Sequence, residues 1–119
     1  MRSFRKISID KCDKLWSELV RARDGKCAYC GKKEYLAAHH IFGRSNSATR
    51  FLLENGISLC PSHHVFSPQF SAHRTEQDFR IWVKKLLGSK YRELEKLSHT
   101  IKSREKARKE FLEVYELEI

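Results

Sequence analysis

Two short segments with the same internal spacing constrain this chain more than anything else in it. Cys27-Ala28-Tyr29-Cys30 sets two cysteines three positions apart, and after 29 intervening residues Cys60-Pro61-Ser62-His63 repeats the spacing with histidine last. A tight turn carrying two ligands at that separation presents both to one side of an ion, so two such turns can close a tetrahedral Cys3His site. The spacing therefore predicts a structural Zn²⁺ held by Cys27, Cys30, Cys60 and His63. Four protein ligands leave no open coordination position, so chemistry, if present, lies elsewhere. Cys12 has no partner at this spacing and reads as a packed or exposed thiol.

Such a clasp answers a physical need. The chain has 119 residues, 40% hydrophobic and 33% charged, which implies a single domain over 1–119 with a small core. A structural zinc site can add on the order of 10 kcal/mol or more of apparent folding free energy. The net charge is +9, but all 24 Lys and Arg lie in residues 1–109 with 11 of the 15 acids, which leaves +13 there. A body that positive implies a polyanionic partner, nucleic acid before an anionic membrane surface. No apolar run approaches the 18 or so residues of a membrane span, and the first residues lack the apolar stretch of a signal peptide. The expected setting is a reducing cytoplasm, where cysteines of this kind bind metal rather than pair.

The expected class is α+β. Residues 10–24 read as a helix with Asp10 as N-cap, Leu15, Trp16, Leu19 and Val20 on one face, and Gly25 as the stop. Tyr35 to Ala38 reads as a strand running into His39 and His40, 43–50 as loop, Asn55-Gly56 as a hairpin turn, and Ile57 to Cys60 as a second strand. Pro61 opens a short helix that Pro68 must end. Thr75 caps a helix carrying Phe79, Trp82, Val83, Leu86 and Leu87 to Gly88. Beyond it, Leu94, Leu97 and Ile101 form a stripe, Ser98 to Thr100 interrupt it, and 103–117 make a last helix whose Phe111, Leu112, Val114, Tyr115 and Leu117 pack either back on the core or on a partner surface.

Between and beside the zinc segments stand His39-His40-Ile41, Asn55 and His64. With CAYC (27–30), AHHIFGR (38–44), ENGISLC (54–60) and PSHH (61–64), this order resembles the HNH endonuclease family, over roughly residues 26–75; the helices at 10–24 and 76–119 fall outside the likeness. The resemblance implies a ββα-metal core clasped by zinc and surrounded by helices. It implies a DNA endonuclease that hydrolyses phosphodiester bonds with a divalent metal, Mg²⁺ or Mn²⁺, with Ni²⁺ and Zn²⁺ also acceptable to histidine ligands. It makes His40 the general base and His39 and His64 metal ligands, with Asn55 orienting the base or completing the metal shell. Neighbours on an extended segment point to opposite faces, so His39 and His40 can serve these two roles.

Residue 63 is more often cysteine in that family. Spacing puts His63 on zinc and rotates His64 about 100° away on the helix, but a swap between the two stays open. The family's further ligand one helical turn after the last histidine falls on Pro68, which cannot ligate; His73 is the substitute, with a surface histidine as the plain alternative. Arg44 and Arg50 flank the loop after the base and are candidates for phosphate contacts. Arg21, Arg23, Lys26, Lys32, Lys33, Lys84, Lys85 and Lys90 could form an outer ring of charge with little sequence specificity. HHIFGR followed by Thr49-Arg50-Phe51 is similar to small phage or prophage HNH proteins, some near packaging genes and some like recombination nucleases, which would place the protein in a bacterial host. One site cuts one strand, so double-strand cleavage would need a homodimer or a second encounter. The alternative to a nuclease is a zinc-stabilised DNA-binding module without activity.

Overall fold

A computed structural model of the chain describes residues 8–115. Helix α1 spans Ile9–Asp24, strand β1 Ala37–His40, helix α2 Ser47–Arg50, strand β2 Gly56–Leu59, and helices α3, α4 and α5 Glu76–Leu87, Ser89–Ser98 and Arg104–Val114. A 3-10 turn, Leu53–Asn55, leads into β2, and a π-helical turn, Ser62–Phe66, follows it. The strands pair antiparallel, with Ala37 opposite Leu59, Ala38 opposite Ser58, His39 opposite Ile57 and His40 opposite Gly56.

This two-stranded sheet separates two small cores. On one face, α1 buries Cys12, Trp16 and Val20 at helical spacing, together with Phe51 and with Ala107, Phe111 and Leu112 of α5. On the other, Ile57 and Leu59 pack with Cys27, Cys60, Ala72, Phe79, Val83 and Tyr91. Strand alternation sends odd residues of β2 to the second core and even ones toward α1, where the Ser58 hydroxyl donates to the Val20 carbonyl. Because paired residues share a face, His39 lies on the Phe79 side and His40 on the Trp16 side.

Several boundaries differ from the sequence reading. Ser8, not Asp10, caps α1, because Ser8 is extended and its hydroxyl accepts from the Lys11 amide; Gly25, in the left-handed region, ends the helix as expected. The strand begins at Ala37, since Tyr35 has φ +56° and stands exposed. The 43–50 loop contains α2. Asn55-Gly56 is not a hairpin turn: β1 and β2 are joined by the whole stretch 41–55, and Gly56 is extended at φ −114°. Glycine is needed there for closeness, since a Cβ would lie 2.6 Å from Val20 Cγ2 and 2.7 Å from Trp16 Cζ2. Thr75 precedes α3, but its hydroxyl is spent on the Ser71 backbone instead of the helix. Leu86, Leu97, Ile101 and Val114 are exposed, so the apolar stripes there are narrower than expected. Phe111 and Leu112 do pack on the chain's own core. Leu117 lies outside the described residues.

Candidate functional site

The two cysteine-bearing turns meet as the spacing requires. Gly31, at φ +80°, lets its amide donate back to the Cys27 carbonyl, which curls Cys27 and Cys30 toward one point. Cys60 ends β2, and His63 follows on the π-helical turn. The Cys30 and Cys60 sulfurs are 3.7 Å apart, and His63 Nδ1 is 3.3 Å from Cys60 Sγ and 3.9 Å from Cys27 Sγ. A disulfide would bring sulfurs to about 2.05 Å. Bonds of about 2.3 Å to sulfur and 2.0 Å to nitrogen at tetrahedral angles instead demand edges of about 3.8 and 3.5 Å. Burial would push the Cys27 thiol up, but the backbone amides of Cys30, Cys60 and Tyr29, with His63, outweigh it and bring the group down to about 6. The Lys32 amide favours the Cys30 thiolate, yet burial and the neighbouring sulfurs leave that thiol raised. Crowded sulfurs that oppose one another's ionisation are what a cation would relieve. These four residues could hold a metal such as zinc.

Beside them a second cluster gathers His39, His64 and His73, each of which offers one ring nitrogen, the three lying within 4.8 Å of one another. The structure thus separates the adjacent histidines, His63 going to the cysteines and His64 to the histidines. His73 arrives by a doubling-back of the chain. The π-helical turn closes with the Ser67 amide donating to the Ser62 carbonyl, and then the Ala72 and His73 amides donate to the carbonyls of His63 and His64. This sets Nε2 of His73 3.2 Å from Nε2 of His64. Bonds of about 2.0–2.1 Å give nitrogen separations of about 3.0 Å in octahedral and 3.4 Å in tetrahedral geometry, so the pair fits one divalent cation. Burial, then the charges of His64 and His73, push His39 down to about 3, and burial lowers His64. Both rings are therefore neutral at physiological pH, the form with a lone pair for a metal. Three ligands leave room for water or substrate.

His40 lies across the strand from this cluster and lines the same groove, of about 440 Å³, with His39, His64, His73, Asp13, Trp16 and Arg44. Its ring stacks on Trp16 at 3.8 Å and 7°. Nε2 is 3.1 Å from the Arg50 carbonyl. A carbonyl only accepts, so Nε2 carries the proton and Nδ1 keeps the lone pair. Burial pushes His40 down to about 4, against the opposing pull of the Arg50 carbonyl.

The remaining sequence candidates take different places. Asn55 is fully buried, and its amide clasps the Phe42 backbone in both directions, accepting from the amide and donating to the carbonyl at 2.9 Å each. It braces the segment after His40. Arg50 does not reach out for phosphate: its Nε and Nη2 grip the two oxygens of Asp13 at 3.1 and 2.7 Å, and only 11% of its side chain is exposed. Arg44 is 65% exposed and stands 4.0 Å from Asp13. Of the outer ring, Arg23 is a strut donating to the Leu53 and Gly56 carbonyls. Lys84 lies over the Tyr91 ring in a second groove, of about 550 Å³, that also reaches His39, His40 and His73. Asp13 and Trp16 were not legible as site residues, because α1 shows only helix periodicity and its partners are distant in sequence.

No family model, curated protein or solved structure matches the chain. No helix among the described residues is long and apolar enough to cross a membrane.

Proposed function

We propose that the protein is a metal-dependent endonuclease of the HNH type acting on DNA. The observation that carries this reading is the juxtaposition of an open three-histidine cluster with a neutral histidine of defined tautomer in one groove, beside a separate four-ligand cluster. His39, His64 and His73 would hold the divalent cation, which when bound supplies Lewis-acid stabilisation of charge on the phosphate and leaving oxygen. His40 is the base: Nδ1 takes a proton from water as the water oxygen bonds to phosphorus and the P–O3′ bond breaks, and solvent returns a proton to the 3′ oxygen. Asn55 holds the strand end that carries the base. Arg44 contacts phosphate, and the basic surface steers the polyanion.

The test is nicking of supercoiled plasmid at low salt, with EDTA and then Mg²⁺, Mn²⁺, Ni²⁺ or Zn²⁺, and His40→Ala in parallel. Metal-dependent nicking that falls about 10²- to 10⁴-fold in the variant, with zinc content and DNA affinity kept, is the expected result. Cutting that survives in His40→Ala removes the base assignment. A wild type that binds plasmid, branched and single-stranded DNA but cuts none makes the protein a binding module.

A further inference from the structure

We infer that helix α1 is a positioning device for the base, with Asp13 and Trp16, three residues apart on one helix face, fixing the proton and the plane of His40. The inference rests on the reading of His40 as base. An imidazole's terminal torsion is broad, so a ring on a two-stranded sheet needs outside contacts to stay in one orientation. Trp16 supplies one. Its indole is itself immobilised, fully buried and donating from Nε1 to the Leu52 carbonyl at 2.8 Å, and it lies parallel to the His40 ring at 3.8 Å. Rotation of the imidazole out of that plane would drive it into the indole.

Asp13 acts on the ring through Arg50. Arg50 is the last residue of α2, where carbonyls have no partner within the helix, and its carbonyl is the one that accepts from His40 Nε2. The bidentate grip of Asp13 on the Arg50 guanidinium pins this helix end and so places the carbonyl. The same pairing neutralises a carboxylate that lines the groove and would otherwise repel a phosphate. Asp13 and Trp16 are positioning residues; neither is needed to touch substrate.

The test compares Asp13→Asn, Trp16→Leu and Trp16→Phe, each zinc-loaded, by long-range ¹H–¹⁵N NMR of the His40 ring and by single-turnover nicking with DNA affinity measured separately. Asp13→Asn and Trp16→Leu should lose the single Nε2–H tautomer and slow cleavage about 10- to 100-fold, the scale of a misplacement near 1 Å. Affinity should stay within about twofold, and Trp16→Phe, which keeps an aromatic face, should recover most of the rate. Where Trp16→Leu does not fold, Asp13→Asn and Trp16→Phe carry the test. A His40 ring signal unchanged in Asp13→Asn, or a rate that falls only with the folded fraction, overturns the inference. The ring signal decides it even if wild type cuts no DNA, the outcome that would remove the nuclease reading alone.

Discussion

The two histidine-bearing clusters share a π-helical turn and are fed by neighbouring residues, yet differ in every property that matters to a metal. The Cys27, Cys30, Cys60 and His63 set would give a metal three sulfurs and one nitrogen, closing four positions, while His39, His64 and His73 would give three imidazole nitrogens and leave positions open. The first ties the turn after α1 to the end of β2, joining parts of the chain some thirty residues apart. The second sits at the rim of a groove, with His73 exposed. A single turn thus sends His63 to the cysteine cluster and His64 to the histidine cluster by rotating consecutive side chains apart.

The sharpest way to break this comparison is to remove one ligand from each cluster. Cys30→Ser should lose zinc by elemental analysis and unfold by circular dichroism, a loss on the order of 10 kcal/mol, as in structural zinc sites where metal binding and folding are one event. His73→Ala should keep zinc and fold with a stability change within about 0.5 kcal/mol, as expected for an exposed position, while metal-dependent nicking collapses. A folded, zinc-loaded Cys30→Ser protein, or an unfolded His73→Ala, would erase the distinction.

What the sequence could reveal follows from how local each signal is. CxxC and CxxH spacings are set within one turn, so the four-residue cluster that could hold zinc is legible, and strand alternation sends His39 and His40 apart as expected. The division between His63 and His64 depends on the turn's rotation, which spacing suggests but does not fix. His73 reaches the site through backbone pairing of 72–73 with 63–64, for which no periodicity exists. Asn55-Gly56 carries a hairpin signal, yet its glycine answers to Trp16 and Val20, about forty residues earlier. Arg50 looks like a free cation until Asp13, 37 residues away, is seen to hold it.

Acid sharpens the comparison from another side. In the unfolded chain the imidazoles of His39 and His40 titrate near 6.5, whereas in the fold burial holds them down at about 3 and about 4. Between those values the unfolded state binds the additional protons, so their contribution to stability is full above about pH 6.5 and is lost as pH falls through the folded values. Chemical denaturation at pH 7, 5.5 and 4.5 should show this decline, and His39→Gln should flatten it. Equal slopes in wild type and His39→Gln would assign the acid sensitivity to loss of the thiolate-bound metal instead.

The smallest expected effect distinguishes Arg44, which lines the groove, from Arg50, which is held by Asp13. Arg44 is exposed and its distance to Asp13 is too long for a strong pair, so its charge is available to a phosphate. Arg44→Ala should leave stability within about 0.5 kcal/mol, weaken DNA binding by a similar factor across sequences, and lower the slope of log affinity against log salt by about 1. Arg50→Ala should do the reverse in kind, lowering the melting temperature because it strands the half-buried Asp13 carboxylate and frees the end of α2. A salt slope that changes for Arg50→Ala and not for Arg44→Ala would mean that the Asp13 pair opens on DNA, and that the groove's phosphate contact is the buried arginine rather than the exposed one.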